Sequence, residues 1–276
     1  HVTGKSGPED PMLTMISVES VEGEPIGLLA NFSMHYFGDK DISPDYFGLF
    51  SDGLKEKIAP DSDTFVAMMS HGCSGDIWRH DYEKSNDRAG NKTTIEDYSE
   101  GMIDLAMKAF GAISYKRPGT IAMAETRMTL DYRVPDQQRL EWAQRIVAEM
   151  GDRLPKTKPE IYAREQIILH EKQRTEIVVQ ALRLGEDIAI ATTPNETYAI
   201  SGLKIKNASP APHTMVIELA NGGDGYIPPP EQHLLGGYNT WAARSAGLEV
   251  QAEPKIVGAA ISLLENVTGK RRTDRR

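Results

Sequence analysis

The chain has 276 residues, 39% of them hydrophobic, enough to bury a full core as one large domain or two small ones. A net charge of −9 with no clustered Lys/Arg face argues against nucleic acid as a partner, and the basic run Lys270-Arg271-Arg272 with Arg275 and Arg276 reads as a solvated tail. A single cysteine, Cys73, excludes an intrachain disulfide framework, and no apolar run approaches the roughly 18 residues a membrane helix needs.

The opening His1-Val-Thr-Gly reads as the interior of a loop, which predicts sequence upstream of it. Apolar runs rich in Val, Ile, Met and Phe predict strands over Leu13–Val18 and Ile26–Phe32. Phe47, Phe50, Leu54 and Ile58 then recur at helical spacing. A strand over Thr64–Met69 precedes a helix opening near Thr93, where Thr93 and Glu96 match a capping box, and running through Ile103, Ala106 and Phe110. A strand over Thr120–Leu130 leads to a helix after Pro135-Asp136, with Leu140, Ala143, Val147 and Met150 on one stripe. The polar, Pro-containing stretch 151–171 reads as a connection or insertion. Strands follow over Thr175–Leu184, Ile188–Thr192 and Met215–Leu219, and a last helix begins at Pro254 with Ile256, Ala260, Leu263 and Val267 on its stripe. Interleaved strands and helices predict an α/β fold with mixed sheets and flanking helices, as one domain over 1–276.

Polar residues at the ends of apolar strands carry the functional information, because α/β folds gather catalytic groups there. His35 ends Asn31-Phe-Ser-Met-His35. The segment Ser70-His71-Gly-Cys-Ser-Gly75-Asp76-Ile77-Trp78 follows the third strand; its glycines permit a tight turn, with Asp76 suited to accept backbone hydrogen bonds, and it lacks the Lys and Ser/Thr of a P-loop. Glu196 follows the very apolar run Ile188–Ala191, and a glycine-rich turn after Glu218 leads into Tyr226 and three prolines. His, Glu and Tyr at separate strand ends are N/O donors of the kind that suit zinc.

The order and context of NFSMH, SPDYFG, HGCSGDI, ATTPNETYAISGLKIK and ELANGGDGYIPPPEQHLLGGYNTW resemble the neutral/alkaline non-lysosomal ceramidase family, in particular its shorter bacterial ceramidase-like members. The resemblance implies a catalytic domain holding one zinc through His35, Glu196 and Tyr226, with a further ligand histidine upstream of His1; no motif supports His71 or His80 as its substitute. Tyr238, twelve residues after Tyr226, occupies the place of a second family tyrosine. One departure concerns the nucleophile. Where ceramidases carry the serine of G-D-V-S-P-N, Gly75-Asp76-Ile77 is followed here by Trp78, and Ser74 does not occupy that place.

These features predict a zinc-dependent hydrolase of an amide or ester bond in a small or lipid-like molecule. Zinc-activated water would take the place of the missing serine, with Tyr238 and Asp76 as catalytic candidates. The resemblance implies a secreted or periplasmic protein. The competing expectation is a non-catalytic ceramidase-like binding module that keeps the scaffold after losing the nucleophile.

Overall fold

The computed structural model describes residues 4–80, 93–117, 119–223 and 225–271. His1 and the tail arginines Arg272, Arg275 and Arg276 lie outside them.

Two mixed sheets form the frame. The first consists of β1 (Thr14–Glu19), β2 (Pro25–Phe32) and β3 (Val66–His71), with β2 antiparallel to β1 and parallel to β3. Helices α1 (Asp45–Ile58) and α2 (Ile95–Phe110) cover one face, where Phe50, Leu54, Met102, Ile103 and Ala106 pack on Leu28 and Ala30. The predicted stripe of α1 is thus its buried face. The cap of α2 is Thr94, whose hydroxyl accepts the Asp97 N–H, so the predicted Thr93–Glu96 box is displaced by one residue.

The second sheet has the order β4 (Ile121–Asp131), β5 (Arg174–Leu184), β6 (Ile188–Thr192) and β8 (His213–Ile217). The first three run antiparallel, and β6 pairs parallel with β8 across the helical crossover α5 (Ala199–Ala208). Helix α7 (Ala252–Thr268) lays Ile256, Ala260, Leu263 and Leu264 over Ile177, Val179, Ala181, Ala189 and Ala191 to make the larger core. A backbone bond joins the sheets at one corner, where Glu218 N–H donates to His71 O at 3.0 Å.

Two helices depart from the sequence expectation. The stretch 151–171 holds most of α4 (Lys158–Lys172), which forms a hairpin with α3 (Gln137–Met150). Its buried residues are Ala163, Glu165, Gln166 and Leu169, so its inward stripe is half polar and has no hydrophobic period to read. The legible signal was its start, where Thr157 and Glu160 form a capping box with a proline in the first turn. Helix α5 has no start signal in its own sequence, because no local residue caps it; its first N–H is satisfied by Asp76 from a distant loop.

Candidate functional site

The three residues expected to bind metal converge. Glu196 lies on the two-residue strand β7 (Glu196–Thr197), which pairs in parallel with β9 (Tyr226–Ile227) so that Glu196 and Tyr226 stand side by side. His35 approaches from the loop after β2, its Nε2 at 3.4 Å from Glu196 Oε2 and 3.4 Å from the Tyr226 hydroxyl. Burial, then the Glu196 charge and its hydrogen bond, push the Tyr226 phenol well above its ordinary range.

Each side chain is held by motif residues around it. Asp45 accepts backbone N–H bonds from Phe37, Gly38 and Asp39 at 2.8, 2.9 and 3.0 Å, closing the loop behind His35. Burial opposes ionisation of Asp45, yet these donors together with the Tyr46 N–H hold its carboxyl below the usual range. The buried Tyr46 hydroxyl donates to Met34 O at 3.1 Å, so the Ser43–Gly48 motif braces the segment that carries the histidine.

On the opposite side, Gly75 N–H donates to Thr197 O at 3.0 Å, and a Cβ at Gly75 would lie 2.9 Å from the Glu196 carbonyl carbon; only glycine allows this approach. Tyr226 N–H donates to Ser245 O at 2.7 Å, tying β9 to the segment 241–246. Helix α4 clamps that segment: Glu165 takes two bonds from the Arg244 guanidinium at 2.8 and 2.7 Å, and Gln166 donates to Ala242 O at 2.7 Å. Asn195, Leu219 and Asn221 all have positive φ, so backbone strain gathers where Glu196 is presented.

The other candidates fall in distinct places. Tyr238 is 59% exposed and stands edge-on to Tyr226, ring centroids 5.9 Å apart. Asp76 accepts the Ala199 N–H at 2.8 Å, capping α5 in the manner its turn suggested, and burial raises its carboxyl pKa. Trp78, 39% exposed, meets the His35 ring edge-to-face at 5.4 Å and so walls the candidate site. His80 contacts Trp78, with ring centroids 6.0 Å apart.

A buried polar cluster adjoins this group. Ser74, only 3% exposed, donates to Glu218 Oε1 at 2.5 Å, and His71 Nδ1 lies 3.4 Å from the Ser74 hydroxyl. The rings of Phe47 and Tyr36 enclose His71 at 4.4 and 4.9 Å. Burial, then the neighbouring His35, lower the His71 pKa to about 4, while burial pushes the Glu218 carboxyl well up. His71 Nε2 and Glu218 Oε2 are buried without a hydrogen-bond partner among the described residues. Glu218 was not expected as part of this neighbourhood, although a carboxylate directly after the apolar Met215–Ile217 was a readable signal.

His35, Glu196 and Tyr226 offer donor atoms of kinds that could hold zinc. Tetrahedral zinc with bonds of about 2.0–2.1 Å has neighbouring donors about 3.3 Å apart, close to the two 3.4 Å separations observed. Among the described residues no three His, Cys, Asp or Glu side chains form a metal-holding group, so a cation here depends on the Tyr226 phenol as third donor. His35 Nδ1 accepts the Tyr36 N–H at 2.8 Å, which in the neutral ring leaves the proton on Nε2 facing Glu196; ligation through Nε2 requires the other tautomer.

No protein-family model matches the chain, and no curated protein matches it in sequence. Among solved structures, the neutral ceramidase from Pseudomonas aeruginosa aligns with a TM-score of 0.68 and 16% identity, over 95% of this chain and 47% of that one. The fold is ceramidase-like. A ceramidase complexed with C2 aligns similarly, with a TM-score of 0.65 and 14% identity over 93% of this chain and 48% of that one. The chain therefore spans about half the length of the ceramidases it matches. Within the ceramidase-like frame, no helix among the described residues is long and apolar enough to cross a membrane.

Proposed function

We propose that the chain is a hydrolase of an amide or ester bond, working with zinc held by His35, Glu196 and Tyr226. The reading rests on one observation above the others: the Glu196 carboxylate and the Tyr226 hydroxyl, from segments far from His35 in sequence, each come to 3.4 Å from His35 Nε2. Zinc, when bound, supplies Lewis-acid polarisation of a carbonyl and activation of water near neutral pH.

The protein's own groups shape the rest. Ser74 is buried and donates to Glu218, so it has no access to a substrate carbonyl as a nucleophile. Water is then the attacking group, and no acyl-enzyme forms. Tyr238, exposed beside Tyr226, can donate its hydroxyl proton in a hydrogen bond to the oxygen that gains charge, an interaction worth roughly 3 kcal/mol when pre-oriented. Asp76 contributes by pinning the Gly75–Trp78 turn to α5. Trp78 narrows the approach to His35, which disfavours long-chain ceramide as substrate.

Metal analysis of the wild-type protein and of His35→Ala and Glu196→Ala tests the assignment. About one zinc per chain is expected in the first and a marked loss in both variants; unchanged metal content would remove the basis of the reading. A panel of N-acyl and ester substrates tests turnover, Ser74→Ala should preserve it, and an acyl adduct trapped on any residue would refute direct attack by water. A second reading, a binding module without turnover, is favoured by the indole packed against His35. It predicts zinc retention with no hydrolysis of any substrate in the panel.

A further inference from the structure

Strand β4 is an edge strand whose outer side, from Ile121 to Thr129, is open among the described residues. It pairs with β5 in unbroken register from Ile121↔Leu184 to Asp131↔Arg174. Tyr132 N–H donates to Gln173 O and Thr120 O accepts from Gly185 N–H, so even-numbered residues direct their backbone groups at β5. Asp131 O accepts the Glu249 N–H on the other side, so odd-numbered residues direct theirs outward. The outward backbone groups of Ile121, Met123, Glu125, Arg127 and Thr129 have no partner among the described residues. Monomeric proteins blunt such edges with proline, charged side chains (lysine above all), short strands or bulges, and of these β4 carries only the opposite charges Glu125 and Arg127. Ile121–Asp131 contains no Pro, Gly or Lys and no bulge, whereas the edge strand β1 breaks register at Val18/Glu19. Instead β4 exposes Ile121 and Met123, at 65% and 56%.

The charges on this edge are self-complementary: within one chain Arg127 bonds Glu125 and Glu176, each at 3.0 Å, and these exposed groups can exchange partners across a two-fold axis. In an antiparallel pair of two copies, outward odd residues must face outward odd residues. Centred on Thr126, the pairing sets Glu125 opposite Arg127 twice and Met123 opposite Thr129 twice, and it ends before Asp131, whose outward carbonyl is held by the Glu249 N–H. Centred on Glu125 or on Arg127, it sets like charges face to face at the two-fold axis, which is unfavourable. We propose that this chain forms a two-fold symmetric dimer by antiparallel pairing of β4 with β4 about Thr126, joining the two four-stranded sheets into one.

Sedimentation velocity over a concentration series, together with engineered crosslinking, tests this. The wild type should dimerise. Glu125→Arg and Arg127→Glu should each weaken the dimer roughly tenfold or more, since each places like charges opposite one another. The double exchange Glu125→Arg/Arg127→Glu restores opposite charges and should restore the dimer, which also guards against a folding defect in either single variant. Thr126→Cys should form an intermolecular disulfide on mild oxidation, because residues at the centre of a non-hydrogen-bonded pair have Cα atoms about 4.5 Å apart. Thr129→Cys, facing Met123, should not. The one native cysteine, Cys73, is buried and gives no background. A monomer at the highest attainable concentration, a dimer indifferent to the single charge changes, or a Thr126→Cys protein that does not crosslink overturns the proposal.

Discussion

Gly75→Ala is the sharpest probe of how the turn after β3 positions Glu196. The new Cβ would lie 2.9 Å from the Glu196 carbonyl carbon and 3.3 Å from that of Thr197, with backbone on both sides of the contact. Carbon atoms pack at about 3.5–4.0 Å, so the turn must retreat by at least about 0.6 Å from β7. That movement pulls on the Gly75 N–H bond to Thr197 O and on the Asp76 cap of α5. Overpacking costs about 1–3 kcal/mol and a weakened buried hydrogen bond about 1 more, so a loss near 3 kcal/mol is expected. Urea unfolding measures it, and zinc affinity should fall in the same variant because Glu196 moves. The control is Gly258→Ala in α7, where a Cβ meets nothing within 4 Å; it should stabilise by roughly 0.5–1 kcal/mol through helix propensity alone. Wild-type stability and metal affinity in Gly75→Ala would refute the close-approach argument.

Asp45→Ala removes the acceptor shared by three loop amides and should cost about 3 kcal/mol by urea unfolding, with faster hydrogen exchange at Phe37, Gly38 and Asp39. Glu165→Ala should cost about 2 kcal/mol and speed exchange of the Tyr226 amide, which bonds Ser245 in the segment that Arg244 anchors. For His71, the folded-state pKa of about 4 lies below the ordinary 6.5, so the unfolded chain binds the proton first. Its contribution is complete above pH 6.5 and is lost as pH falls towards 4, amounting to about 3 kcal/mol at most. His71→Asn should flatten that part of the stability profile. Glu218 has the opposite sign: its raised pKa gives stability at low pH that fades as pH rises above the ordinary carboxylate range, and Glu218→Gln should remove that slope.

Much of the frame was legible in the residues themselves. The apolar runs of β2 and β6, and the stripes of α1, α2, α3 and α7, are dictated by local periodicity, because burying one face is the dominant requirement on each element. The order of His35, Glu196 and Tyr226 within their motifs was likewise open to reading. What they share in space was not, since two-residue strands such as β7 and β9 have no periodicity and exist only through the long-range ladder that pairs them. Helix α5 depends on a cap delivered by Asp76 from 123 positions away, and α4, in the stretch that reads as a connection, buries Glu165 against Arg244 on its inward face. The burial of Ser74 under Glu218, the indole of Trp78 on His35 and the open edge of β4 are facts of tertiary placement. Local patterning determines which segments become strands and helices; only packing decides which polar groups are left facing one another, because those contacts join residues whose separation in sequence carries no local signal.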